Sequence, residues 1–251
     1  MKQLLIYDRP VPLNRQVHRA LRVQSRPGDM AFAAGINSVP VAAVEFARAA
    51  TTCPVVFAGS SVDKVVPAAL MGLREHENLL VDTAGRWAEM AYVPAFLRRY
   101  PFVLAEKDGV PDDFTVCLDE GYPGLGGDEG EPLFTDTGED APLLTNALEF
   151  LGDYQREIAR TREFVGRLLE HELLEPKVVR VEPANGEPFS LEGFFIVDET
   201  RLRALKPRAV QALMRDGDLG LIYAHLLSLS NVERLTHRMD QRRTAAASSS
   251  N

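Results

Sequence analysis

The stretch DAPLLTNALEFLGDYQREIARTREFVGRLLEHELLEP, residues 140–176, decides how this chain is read. Within it Leu144, Ala147, Leu148, Leu151, Tyr154, Ile158, Val165, Leu168 and Leu169 recur at i, i+3, i+4 and i+7. That spacing collects apolar side chains on one face of a helix, here sustained for about seven turns. Asp140 with Pro142 marks the start, because proline fits the first helical turn, and Pro176 lies past the end.

Downstream of this helix, Val178–Val181 and Phe189–Ile196 flank Pro183-Ala184-Asn185-Gly186, where Asn-Gly is a strong hairpin cue. Leu202–Met214 reads as a short helical region. Leu219–His237 reads as a last amphipathic helix with Leu219, Ile222, Tyr223, Leu226 and Leu227 on its apolar side. The Ala/Ser composition from Thr244 to Asn251 predicts a disordered tail.

Upstream lies a change of character. Residues 119–140 hold Asp119, Glu120, Asp128, Glu129, Glu131, Asp136, Glu139 and Asp140 together with six glycines, and read as a loop or linker. Before it the chain is strand-rich. Leu4–Tyr7 is a short apolar run, and Arg9-Pro10-Val11-Pro12 forces an extended segment. Val39–Ala50 has helical spacing, and Cys53–Phe57 reads as a buried strand ended by Gly59-Ser60-Ser61. Pro67–Leu73 and Asn78–Val81 predict further strands. Tyr92–Phe102 is the most aromatic-rich segment, with Pro94 opening a short helical turn and Pro101 closing it. Phe102–Ala105 and Phe114–Leu118 predict a strand pair around Lys107-Asp108-Gly109. The fold class expected is therefore α+β: a strand-rich region with short helices over 1–118, an acidic Gly-rich loop over 119–140, a helical region carrying a hairpin over 141–240, and a tail over 241–251.

Composition narrows the function classes. The chain has 251 residues, 45% of them hydrophobic and 25% charged, ordinary values for a protein with a packed core. Its 36 Asp+Glu against 28 Lys+Arg give a net charge of −8, which repels phosphate backbones. The richest basic patch, Arg234, His237, Arg238, Arg242 and Arg243, reads as cations at the end of the last helix, so no nucleic-acid partner is expected. No apolar run approaches the ~20 residues of a membrane span. The start carries only four consecutive apolar residues before Asp8, short of a secretory signal, so a cytoplasmic location is expected. Cys53 and Cys117 sit in apolar, strand-like surroundings and read as free core thiols.

The short motifs that announce chemistry are missing. No CxxC or Cys/His cluster suggests a metal, and the five histidines are scattered. The acidic loop lacks the D-x-[DN]-x-[DN]-G order of a calcium loop and reads as a solvated linker. Gly124-Leu125-Gly126-Gly127-Asp128-Glu129 has Glu129 where a dinucleotide loop needs glycine, and Gly59-Ser60-Ser61-Val62 lacks the second glycine of a nucleophile elbow. The identity of any cofactor stays unknown at this level.

Five residues remain as ligand-binding candidates: Glu45, Tyr92, Arg98, Arg99 and His225. Arg98 and Arg99 beside Tyr92 and Tyr100 offer guanidinium forks to a carboxylate or phosphate, or else an internal partner to Glu45, whose carboxylate needs one if it faces inward. His225 follows Tyr223-Ala224 in an apolar helix, where a buried ring must find partners for both nitrogens.

Taken in order, several segments resemble the bacterial SapC family, named for a surface-layer-associated protein. They are Val11-Pro12-Leu13-Asn14 with His18, Asn37-Ser38-Val39-Pro40, Val44-Glu45-Phe46 and Pro54-Val55-Val56-Phe57. Gly72-Leu73 with Asn78-Leu79, Tyr92 through Phe102, Cys117-Leu118-Asp119 and Gly130-Glu131-Pro132-Leu133-Phe134 continue the match. Gly193-Phe194-Phe195 with Val197-Asp198, and Ile222 through Leu229, complete it. The resemblance implies surface-layer or envelope-related biology and supplies no reaction or catalytic residue. Three functions stay open at this level: an accessory protein binding a peptide or protein partner, an enzyme or small-ligand protein built on the five candidates, and a secreted surface-layer component.

Overall fold

A computed structural model describes residues 6–106, 114–184 and 186–249. In chain order the strands are β1 (Pro10–Pro12), β2 (Arg22–Val23), β3 (Ser38–Pro40), β4 (Val55–Ala58), β5 (Val66–Leu70), β6 (Phe102–Glu106), β7 (Phe114–Asp119), β8 (Glu131–Pro132), β9 (Leu174–Val181) and β10 (Phe189–Val197). The α-helices are α1 (Phe46–Ala49), α2 (Ala95–Arg98), α3 (Pro142–Glu170), α4 (Glu199–Arg203), α5 (Pro207–Arg215), α6 (Asp218–Ser228) and α7 (Asn231–Ser249). The fold is α+β, with the helices gathered toward the C-terminal end of the chain.

The main sheet has the order β3-β5-β4-β10-β9 with every pairing antiparallel. It draws three strands from before the acidic loop and two from the hairpin after α3, so β4 against β10 ties the two ends of the chain into one sheet. Period-two alternation gives each face its own core. On one face Phe57 lies 6.4 Å from both Phe46 and Phe164 by ring centroid, and those two rings lie 5.9 Å apart, which anchors α3 and α1. On the other, Val56, Leu70, Phe194 and Ile196 lie beneath α7. A second sheet, β1-β7-β6, packs Phe102 and Leu118 against Leu133, Phe134, Leu144 and Leu151 in a smaller core.

The long helix runs Pro142–Glu170 with Pro142 in its first turn, as its spacing predicts. The hairpin β9–β10 is present, although Asn185 lies outside the described residues, as does the Lys107-Asp108-Gly109 turn. β10 carries a bulge between Leu191 and Phe194, where Gly193 sits at φ +86°, a conformation that glycine adopts without a Cβ clash.

Several expectations change. The helix predicted over Val39–Ala50 shrinks to a 3-10 turn at Ala43–Glu45 and the single turn of α1, because Val39 and Pro40 join β3 and Ala42 stays extended. Asn78–Val81 forms no strand. The Asn78 side-chain oxygen accepts from Leu80 N–H at 2.9 Å, a local turn that competes with a ladder. The helix read over Leu202–Met214 is two, since Pro207 cannot continue α4 but opens α5. The last helix is also two. At Leu229–Glu233 bonds to the third residue back replace the α pattern, and Asn231 turns in to donate to Ala50 and Cys53 carbonyls at 2.7 and 3.3 Å.

The tail expected to be disordered continues α7 through Ser249, where alanine is a strong helix former. The acidic stretch is a packed loop rather than a solvated linker: β8 pairs with β2, Leu133 and Phe134 are buried, and the Asp119 carboxylate accepts from Asp8, Arg9 and Gly121 N–H groups.

Candidate functional site

Four of the five candidates gather where the 3-10 turn before α1 meets α2. Glu45 is buried at 4% exposure, the setting in which an unpaired carboxylate costs most. Its Oε2 accepts from the Ala42 N–H at 2.9 Å, closing the turn that carries it. Its Oε1 accepts from the Ala95 N–H at 2.7 Å, a donor at the start of α2 left free by helix geometry, and from the Tyr92 hydroxyl at 2.7 Å. The carboxylate thus clamps two helical starts together. Burial, with the Glu45 hydrogen bond and charge behind it, pushes the Tyr92 hydroxyl up to about 12, so it stays a donor at neutral pH.

Arg98 is exposed. Its Nε donates to the Val93 carbonyl at 3.1 Å and a terminal nitrogen lies 3.3 Å from the Tyr92 hydroxyl, while its guanidinium sits over the Tyr92 and Phe150 rings at 5.9 and 5.1 Å. Arg48 stacks on Tyr92 as well, at 4.8 Å. Arg99, the next residue, turns inward to 4% exposure and lies 4.1, 5.3 and 5.8 Å from the Phe96, Tyr154 and Tyr7 ring centres. Burial raises the Tyr7 and Tyr154 hydroxyls, Tyr154 to about 12, against the opposing pull of Arg99. The expectation that Glu45 pairs with an arginine is thus met differently: the Tyr92 hydroxyl stands between its carboxylate and Arg98.

His225 belongs to another part of the molecule. The fully buried ring links the Val55 carbonyl, 2.7 Å from Nδ1, to the Val197 N–H, which donates to Nε2 at 3.0 Å. This arrangement requires a neutral ring with the proton on Nδ1. Burial pushes its pKa down to about 4, overriding the hydrogen bond to Val55. Ser228, one turn on, accepts from the Val55 N–H at 2.8 Å. Together they bolt α6 to β4 and β10.

None of the five candidates lines either of two surface clefts formed by the described residues. One, of about 380 Å³, lies between the main sheet and α7, with Val56, Leu70, Phe194, Ile196 and Val232 as its apolar walls and Lys177 and Glu233 at its rim. The other is an open groove along α7 bounded by Glu233, Arg234, His237, Arg238 and Gln241. The basic patch on α7 is engaged with backbone: Arg234 donates to the Thr51 carbonyl at 3.0 Å, and Arg242 to those of Asn78 and Val81 at 3.0 and 2.6 Å. These arginines lie within the helix rather than at its end, and two of them strap it to the N-terminal region.

Sequence reasoning missed the partners that complete the Glu45 region. Thr161 accepts from the Ala43 N–H at 2.8 Å and, as a hydroxyl interrupting the apolar stripe of α3, left a visible trace. Tyr7 and Tyr154 left none, because a tyrosine in an apolar pattern reads as core. Among the described residues no cluster of His, Cys, Asp or Glu could hold a metal ion, and no helix is long and apolar enough to cross a membrane.

Comparison with known proteins bears on the whole chain. The family model for SapC matches residues 13–235, and the protein belongs to the SapC family. No curated protein and no solved structure matches it.

Proposed function

We propose that this SapC-family protein is a non-catalytic accessory protein that binds a peptide or protein partner, working in the cytoplasm in surface-layer or envelope-related biology. One observation carries the reading: β9 is the last strand of the main sheet, with no strand paired to its outer edge among the described residues, and it lines the apolar cleft beneath α7. An exposed strand edge is a template for pairing with another chain.

The chemistry around the candidates points the same way. The Glu45 carboxylate and both His225 ring nitrogens are occupied by the fold, so neither offers a free base to a substrate. The family's name supports the surface-layer or envelope setting.

Affinity capture with the full chain from native lysate tests the reading. A partner retained at comparable stoichiometry is expected; recovery of the chain alone overturns it. Cell fractionation tests the location, and protein found solely in the surface fraction would replace the cytoplasmic assignment by a secreted component.

A further inference from the structure

We infer that the Lys177–Val181 segment of β9 takes up an extended polypeptide segment as a sixth strand, with apolar side chains entering the cleft beneath α7 and a carboxylate meeting Lys177. The inference rests on the partner-binding reading above and gives that partner a chemistry.

Pro176 fixes which backbone groups are open. It has no N–H and lies opposite Phe195 within the β9–β10 pairing. Proline is tolerated in a paired strand where its nitrogen faces away from the neighbour. Backbone groups alternate sides along a strand, so Val178 and Arg180 share the outward orientation of Pro176, while Lys177, Val179 and Val181 face β10. The irregularity at Leu191–Phe194 places its extra residue on β10 and leaves the alternation of β9 intact. The N–H and C=O groups of Val178 and Arg180 therefore form a short open ladder. Val178, 60% exposed, adds an apolar side chain on the strand's outer surface.

Side chains supply the rest. Alternation puts Lys177, Val179 and Val181 on one face of β9, and all three line the cleft, together with Arg180 and Glu182. A strand added beside them directs every second side chain onto the same sheet face, where Phe194, Ile196 and Val232 offer apolar contact. The rim is charged and asymmetric. Arg180 is held by Glu182 at 2.9 Å, whereas Lys177 on β9 and Glu233 on α7 have no ion-pair partner among the described residues. An incoming segment that places a carboxylate near Lys177 and a cation toward Glu233 satisfies both. That pattern selects an extended, alternating apolar peptide carrying both signs of charge over a helix or a nucleic acid.

The test uses the full chain and a displayed library of random linear dodecapeptides, with the enriched sequences resynthesised for fluorescence-polarisation binding. Alternating apolar peptides with an acidic residue are expected. Val178→Pro removes an outward N–H and no ladder bond to β10, so it should weaken binding at least tenfold with an unchanged melting temperature. Lys177→Glu should shift selection toward peptides with a basic residue at that place, a readout that loss of folding would not produce. Enriched peptides that bind Val178→Pro as tightly as the parent overturn the edge site. If Val178→Pro still captures the native partner at the parent's stoichiometry, the edge site falls while partner binding stands; if the parent yields neither peptide nor partner, both fall.

Discussion

The Glu45 region and the β9 edge handle polar groups in opposite ways. Around Glu45 the fold buries a carboxylate and closes it with three donors from two helical starts and a tyrosine. Along β9 the outward backbone donors and acceptors have no strand partner among the described residues, and apolar surface lies beside them. In the first region charge holds the protein together; in the second, unmet hydrogen-bonding capacity is available to something else. Residue type alone would have ranked them the other way, since Glu, Tyr and Arg suggest chemistry while Lys-Val-Val-Arg-Val suggests a plain strand.

Breaking the first region should cost most. Glu45→Ala leaves two buried N–H groups and a hydroxyl without their acceptor, and at roughly 1–3 kcal/mol for each orphaned group the loss should be about 4 kcal/mol in urea unfolding. A loss under about 1 kcal/mol would show that water reaches these donors and that the carboxylate is free to act. His225→Ala should follow at about 3 kcal/mol, because it orphans the Val55 carbonyl and the Val197 N–H.

His225 also sets a pH dependence. Its folded pKa, about 4, lies below the ordinary histidine value of 6.5, so the unfolded chain binds a proton that the folded ring refuses. The associated stability is complete above about 6.5 and is lost as pH falls from there toward 4, on the order of 3 kcal/mol in all. Denaturation midpoints measured between pH 7 and 4 should show this decline in the parent, and His225→Gln should flatten it.

Tyr92→Phe should cost about 1 kcal/mol, since Glu45 keeps its two backbone donors. Smallest is Val178→Pro, expected within about 0.5 kcal/mol of the parent. A cost of several kcal/mol there would mean that the outward groups of β9 are already used within the fold, and the contrast between the two regions would collapse.

Legibility followed the range of the interactions. The long helix was plain because its nine apolar positions repeat locally, and the hairpin was plain because two apolar runs flank a turn. Of the five residues singled out as ligand-binding candidates, Tyr92, Arg98 and Arg99 are near in sequence, and Glu45 was set beside them because a carboxylate that faces inward needs a partner. The nature of the contact was not readable: the Ala95 N–H reaches Glu45 across fifty residues. His225 was separated from the others only by the structure, which places it against backbone groups of β4 and β10.

By itself the sequence determined the α+β class, the place of α3, the absence of the familiar catalytic and metal motifs, and the family. Those depend on periodicity, composition and ordered short segments, all of which are properties of neighbours along the chain. Tertiary structure alone decided that β10 pairs with β4, that β9 is therefore an edge, and that a cleft lies beside it. Strand order is set by which faces can be buried together over long separations, and a strand's own residues do not say whether a neighbour lies on one side of it or on both.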